Sequence, residues 1–267
     1  MDTTRPILRP LLVWILGGVA LALSVGLCFM LAPFMGGRRA FWWVAPWYVR
    51  GTARAFGIHC SFEGWEELPE DLRDGRRPGV FIGNHTSHFD PPLVISTLPC
   101  HPVFVAKREL ARVPFVGWVI WLADFIFIDR GDRQAALSSL ERAAQRIRSG
   151  QSIVAFPEGT RSRDGRLLPF KKGAFALAFS AGVPVVPFAI HGGPEILPKG
   201  TWRVQGGPYR ITVGTPLEPD DYPDAEALRL AAEAAVRALL EVGWAPRFSS
   251  PLCWLAAAPG GAAGPGG

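Results

Sequence analysis

Residues 11–32, LLVWILGGVALALSVGLCFMLA, carry no formal charge over 22 positions. At 1.5 Å per residue such a run makes about 33 Å of helix, against about 30 Å of bilayer hydrocarbon. A secretory signal is the first alternative. It has a shorter apolar region and a small-residue cleavage site, whereas PFMGGRRAFWW follows here. The run therefore reads as a retained membrane segment, and Gly17, Gly18, Gly26 and Pro33 leave both a full crossing and a dip into one leaflet open. Arg5 and Arg9 precede it; Arg38, Arg39, Arg50 and Arg54 follow, with no acidic residue between Met35 and Glu63. The heavier positive side is downstream, which places the body of the chain on the cytoplasmic side of the cell membrane. The stretch RRAFWWVAPWYVRGTARAF mixes Arg with aromatic rings, as a helix lying among lipid headgroups does; a core helix of the main domain is the alternative.

At 267 residues the chain has room for one substantial core beside this anchor. The net charge is +5, and of 28 basic residues only Lys107, Lys171, Lys172 and Lys199 are lysines. Guanidinium suits phosphate because its fork binds two oxygens at once, so anionic lipids, phosphorylated small molecules and polyanions are candidate partners. Cys28, Cys60, Cys100 and Cys253 are scattered, which fits free thiols in a reducing compartment and argues against a thiolate zinc site.

Beyond Gly64, short apolar runs alternate with helical stretches. Strands are expected at 79–83, 102–106, 125–128, 152–156, 183–190 and 210–214, and helices at 132–150, 171–182 and 224–243. This alternation predicts an α/β fold: a mixed, largely parallel sheet flanked by helices, behind an N-terminal hydrophobic anchoring segment. The expected units are 1–57 (anchoring and interfacial helices), 58–245 (catalytic domain) and 246–267, a Gly/Pro/Ala tail with no means of building a core.

Two stretches carry chemistry. In FIGNHTSHFDPP (residues 81–92) an apolar run ends at Gly83, and Asp90 precedes Pro91 and Pro92, the pattern of an N-cap before a helix. His85 and Asp90 then sit at the carboxyl edge of a strand, where ligands of open α/β sheets bind. Asp90 is able to fold back onto one imidazole nitrogen and leave the other to take a proton from a hydroxyl. The plainer alternative is that Asp90 only caps the helix and His85 only pairs with backbone. A metal site lacks ligands, since His59, His101 and His191 show no suitable spacing around His88. The second stretch, FPEGTRSRDGRLLPFKKGA (156–174), places Arg161, Arg163, Arg166, Lys171 and Lys172 around glycines after a strand, a cradle suited to phosphate, with an exposed basic loop as the alternative. No Walker loop and no G-x-S-x-G is present.

Four blocks in this order resemble the 1-acylglycerol-3-phosphate acyltransferase family of glycerolipid synthesis, over roughly residues 60–215. They are N-H-x-x-x-x-D at Asn84, His85 and Asp90; F-I-D-R at Phe127–Arg130, preceded by Lys107, Glu109, Leu110, Pro114 and Gly117; F-P-E-G-T-R-S at Phe156–Ser162; and V-P-x-x-P at Val183–Pro187. Asp124 departs from the pattern, standing where the family often has Gly. The resemblance implies that His85, oriented by Asp90, deprotonates a glycerol hydroxyl. This oxygen then attacks the thioester of acyl-CoA or acyl-carrier-protein, with no acyl-enzyme. It further implies that Arg130 and Arg161 hold the acceptor phosphate, that Glu158, Gly159 and Thr160 shape that pocket, and that Lys107, Lys171 and Lys172 contact phosphate or donor. The partners implied are a lysophospholipid acceptor, the acyl donor and membrane lipid, with no nucleic acid, no metal and no redox cofactor. Competing readings keep the chemistry on another lysophospholipid, a lyso-aminolipid or glycerol 3-phosphate, or make the chain a thioesterase or a silent lipid-binding protein.

Overall fold

The computed structural model describes residues 5–98, 100–128, 133–162, 164–197 and 201–242. Two helices lead, α1 (Arg5–Met35) and α2 (Gly37–Ala55). They are followed by β1 (Ile58–Glu63), the single turn α3 (Glu70–Arg73), β2 (Val80–Gly83), α4 (Asp90–Thr97), β3 (Val103–Lys107), α5 (Val116–Leu122) and β4 (Ile126–Ile128). The remainder is α6 (Arg133–Arg148), β5 (Ile153–Ala155), α7 (Gly173–Ala181), β6 (Val185–His191), the short α8 (Gly193–Ile196), β7 (Gly207–Val213) and α9 (Ala225–Glu241).

Local chemistry sets these limits. The Asp224 carboxylate accepts from the N–H groups of Glu226 and Ala227 and so caps α9. Gly182, at φ 61, closes α7 in the left-handed region where glycine carries no Cβ penalty. Asp124 takes φ 60 as well; Asp is among the side chains that tolerate this region, and its carboxylate pairs with Arg146 on α6.

The six expected strands form together with β1, which its polar alternation (IHCSFE) hid, in one sheet of order β1-β7-β6-β2-β5-β3-β4. All neighbouring pairs are parallel except β6 with β7. The central strands β2 and β6 are buried at every position, as strands covered on both faces must be. Right-handed crossovers fix the layers. The crossover through α4 runs from β2 towards β3, whereas those through α6 and α7 run the opposite way along the sheet, so α4 covers one face and α6 and α7 the other. Helix α9 joins α7 against β6, and α2 packs on α4 and β1. Phe81, Phe175, Phe188 and Tyr209 are fully buried in this core, and each such apolar side chain contributes about 1.5–3 kcal/mol on burial.

The leading helices differ. One face of α2 belongs to the α/β core through Phe41, Trp42, Val49 and Ala53, and Arg50 is buried with its guanidinium on the Ser96 carbonyl at 3.0 Å. Trp42 stacks on His101, and burial pushes that imidazole down to about 4, so it packs as a neutral ring. The opposite face carries an exposed stripe, Arg39, Trp43, Trp47 and Arg54. The core-helix and the interfacial readings thus describe two faces of one helix. Helix α1 touches the body mainly through α2, and its span Leu11–Met35 is long and apolar enough to cross a bilayer while only 11% of it is buried.

Candidate active site

Strands β2 and β5 run in register, Val80 beside Ile153 and Ile82 beside Ala155, so they end level and release residues 84–90 next to residues 156–162. Asn84 extends the pairing of β2 with β6 by its side chain: its amide donates to the Ile190 carbonyl at 2.9 Å, and its oxygen accepts from the Ile190 N–H at 2.7 Å. His85 follows, with both backbone groups held by the neighbouring loop. Its N–H donates to Glu158 Oε1 at 2.6 Å, and its carbonyl accepts from the Ser162 N–H at 2.8 Å. The imidazole lies flat on Phe156, with ring centroids 4.5 Å apart.

His85 Nδ1 is 2.9 Å from Asp90 Oδ2. That oxygen also accepts from the N–H groups of Thr86 (2.6 Å) and Ser87 (2.7 Å), while Oδ1 accepts from the Tyr209 hydroxyl at 2.8 Å. The expected N-cap role of Asp90 is therefore corrected: it is the first residue of α4, and its carboxylate turns back onto the preceding loop. The physical reason lies in the sequence. A capping oxygen bonds the N–H of the second or third helical residue, but Pro92 has none and the Leu93 N–H is taken by the Phe89 carbonyl. Asp90 is wholly buried. With Asp90 Oδ2 as acceptor, the hydrogen bond is donated from His85 Nδ1, and Nε2 is the ring nitrogen left to meet a substrate. The His85 side chain keeps 19% of its surface exposed. Burial and the adjoining carboxylate raise the Tyr209 phenol well above its usual range, so it stays a neutral donor.

Glu158 is buried, with Oε1 on the His85 N–H and Oε2 on the Leu168 N–H at 3.0 Å. Burial pushes its carboxyl up to about 7, against the pull of these two donors. It braces the His85 turn to the 164–170 loop from inside. The expected cations divide. Arg161 is half-buried near His88, whose imidazole is pushed below its usual value by burial and then by that guanidinium. Gly159 has φ 72, and the Lys171 side chain lies across it: a Cβ there would come within 2.9 Å of Nζ. Thr160 is exposed beside them. Lys172 turns away to Glu226 on α9 at 3.3 Å, Arg166 lies 3.7 Å from Asp164, and Lys107 pairs with Glu109 at 3.1 Å. Arg130 and Arg163 fall outside the described residues. Among the described residues, no group of three or more His, Cys, Asp or Glu side chains is placed to hold a metal.

The residues brought together are thus His85, Asp90, Glu158, Gly159, Arg161 and Lys171. Sequence reasoning missed Tyr209 and the Phe156 stack. Phe156 stood in a motif that gave it no role, and nothing around Tyr209 marks it.

An acyltransferase family model matches residues 59–191, which include both loops. The 1-acyl-sn-glycerol-3-phosphate acyltransferase of Limnanthes douglasii is 38% identical over 168 residues, 62% of this chain and 57% of that protein. The enzyme of that name from Haemophilus influenzae is 33% identical over 190 residues, 71% of this chain and 76% of its own length. Against the alpha form from Homo sapiens, identity is 36% over 174 residues, 63% and 60% of the two chains. The chain thus spans less than two thirds of the plant and human relatives. The crystal structure of PlsC, the 1-acyl-sn-glycerophosphate (LPA) acyltransferase of Thermotoga maritima, superposes with a TM-score of 0.77 at 28% identity, covering 92% of this chain and 100% of that one. With the fold, the sequence blocks and these likenesses in agreement, the chain belongs to the acyltransferase family that contains the 1-acyl-sn-glycerol-3-phosphate acyltransferases.

Proposed function

We propose that this chain is a membrane-bound O-acyltransferase. It moves an acyl group from a thioester, acyl-CoA or acyl-carrier-protein, onto the free hydroxyl of 1-acylglycerol 3-phosphate and yields phosphatidic acid. The observation that carries the reading is the His85–Asp90 pair at 2.9 Å, with the carboxylate wholly buried and the imidazole partly open. Such a pair supplies a base whose ring cannot swing away, because Phe156 supports its face and the 156–162 loop holds its backbone.

In the proposed step, Nε2 of His85 takes the proton of the acceptor hydroxyl as its oxygen attacks the thioester carbonyl. The C–O bond forms, the C–S bond breaks, and the proton passes from Nε2 to the departing sulfur. Asp90 offsets the charge of the transient imidazolium. General base catalysis contributes about 10²–10⁴-fold, and holding two substrates in attack geometry is worth about 7–11 kcal/mol. Arg161, with Gly159, Thr160 and Lys171 beside it, receives the acceptor phosphate, and Arg130 is assigned to the same phosphate by its sequence block. Glu158 is a positioning residue. Helix α1 anchors the chain in the cell membrane, with the catalytic body on the cytoplasmic side. This arrangement suits an acceptor and a product that both reside in lipid.

The test uses membranes from cells overproducing the full chain, with His85→Ala as the blank. Labelled acyl-CoA or acyl-carrier-protein is offered with lysophosphatidic acid, then with other lysolipids and glycerol 3-phosphate. His85-dependent phosphatidic acid is the expected product. Turnover of another acceptor alone keeps the chemistry and replaces the substrate. Wild-type rates in His85→Ala would sink the base assignment.

A further inference from the structure

After β3, the chain does something a water-soluble surface rarely does. Residues 107–115 (KRELARVPF) are exposed at all nine positions, the first turns being 3₁₀ over Arg108–Arg112, and α5 continues from them. Within this stretch the large apolar side chains face outward: Leu110, Val113, Phe115, Trp118 and Trp121, the last with 68% of its surface exposed. The Phe115 ring, just ahead of α5, meets Trp118 edge-on with centroids 5.1 Å apart, and Trp118 and Trp121 are three residues apart on α5, so the three rings lie side by side. A monomeric soluble protein seldom exposes such a contiguous apolar patch without a partner.

The surroundings indicate what covers it. Leu122, at the end of α5, is buried with Cys28 of α1 and Val44 of α2, so this helix is docked directly on the pair that precedes the α/β body. It thus lies beside α1, whose apolar span is largely unburied. Arg108 and Arg112 are exposed on the same segment, and Arg39 is exposed at the start of α2. Trp and Phe beside Arg, next to a helix of bilayer length, is the composition of a membrane-water boundary: rings at the level of the headgroups, guanidinium groups on lipid phosphates. Strand β3 delivers this segment to the sheet edge at which β2 delivers His85, because the strands between them are parallel.

We propose that residues 108–121 form a second membrane contact, an interfacial face that seats on anionic phospholipid alongside α1 and holds the site's edge at the lipid surface. The proposal rests on the reading of α1 as a membrane helix. Its occupant is the bilayer; a partner protein or a second copy of the chain is an outcome that the test separates. Its consequence is kinetic: with the edge of the sheet at headgroup level, an acceptor reaches His85 without leaving the membrane.

The test reconstitutes the full chain into vesicles of phosphatidylethanolamine and phosphatidylglycerol that carry phosphatidylcholine brominated either near the headgroup end or near the methyl end of its chains. The emission lost in a Trp118→Phe/Trp121→Phe variant isolates these two rings. We expect this component to be quenched severalfold more strongly by the shallow bromines than by the deep ones. A Trp118→Ser/Trp121→Ser variant is expected to turn over a bilayer-embedded acceptor severalfold more slowly and a short-chain, water-soluble one at the wild-type rate. A component quenched at neither depth, in a chain that stays with the vesicles through a carbonate wash, overturns the second contact and leaves α1 standing. Quenching at neither depth together with cross-linking into dimers assigns the patch to a second copy, which also overturns it. Loss of the whole chain on washing refutes the α1 reading and this inference with it.

Discussion

The Tyr209 hydroxyl donates to Asp90 Oδ1 at 2.8 Å, joining β7 to the start of α4 across 119 residues of chain, with both groups wholly buried. The contact completes the hydrogen bonding of a carboxylate whose other oxygen serves His85, Thr86 and Ser87. Removing it by Tyr209→Phe leaves Oδ1 buried without its donor, a cost of about 1–3 kcal/mol. The carboxylate then loses one of the contacts that hold it against His85. The expected result is a lowered kcat with little change in the KM of either substrate. Steady-state kinetics checks it, and an unchanged kcat would remove Tyr209 from the support of Asp90.

Arg161 and Lys172 are ten and more residues apart in one basic loop, yet only the first stands by the His85 turn; the second is on Glu226 at the surface. Arg161→Ala is expected to raise the acceptor KM by about 10–150-fold, the worth of a charge-assisted hydrogen bond of about 1.5–3 kcal/mol, with the donor KM little changed. Lys172→Ala is expected to leave both constants near wild type. Steady-state kinetics on the two variants decides the matter; equal effects would mean that the loop acts as a diffuse basic surface.

Glu158 binds its proton more tightly in the fold than in the open chain, since burial moves it from 4.5 up to about 7. The sign of the stability effect follows. Its contribution is fully present below 4.5 and is lost as pH rises through about 7, because the ionised carboxylate is the form that burial penalises. Glu158→Gln abolishes this titration while leaving only one oxygen for two N–H donors. Thermal melts across that pH range should therefore fall with pH in the wild type and show a flatter slope in the variant. The variant's kcat should also drop, because the His85 backbone loses its brace. Parallel slopes would show that the carboxylate does not titrate in this window.

How much of this was legible beforehand depends on whether the signal is local. The buried strands β2 and β6 announce themselves as apolar runs, and α1 as an uncharged one. By contrast β1 alternates His59 and Ser61 with its apolar positions and offers no contrast to read. His85 and Asp90 stand five residues apart in a recognisable block, so their pairing was open to inference; Tyr209 reaches the same carboxylate only because β7 runs beside β6. The resemblance assigns Glu158 to the shape of the phosphate pocket, a role for which its sequence neighbourhood gives no geometry. The chain's path instead points its carboxylate inward, at two backbone donors. At Asp90 the sequence signal is ambiguous for a physical reason: the prolines that mark the helix start also remove the donor that a cap would serve.

Trp14 links α1 to the turn that carries His85 and Asp90. Its ring stacks over Phe89 with centroids 6.3 Å apart and meets Phe56 edge-on at 5.3 Å, and its Nε1–H donates to the Trp202 carbonyl at 2.7 Å. Phe89 immediately precedes Asp90, so the first turns of α1 bear on the residue that enters α4. Trp14→Ala removes the stack, worth about 0.5–1.5 kcal/mol beyond burial, and with it the hydrogen bond. The rest of α1 keeps its length and apolar surface, so membrane attachment should survive a carbonate wash. The rate is where the change should show: kcat lowered severalfold, because the α4 start loses its outer support, with the apparent acceptor KM less affected. Restoring a ring by Trp14→Phe should recover much of that loss, since Phe keeps the face that stacks and loses only the indole donor. If Trp14→Ala detaches the chain at unchanged specific activity in detergent, this side chain serves the anchor and not the turn.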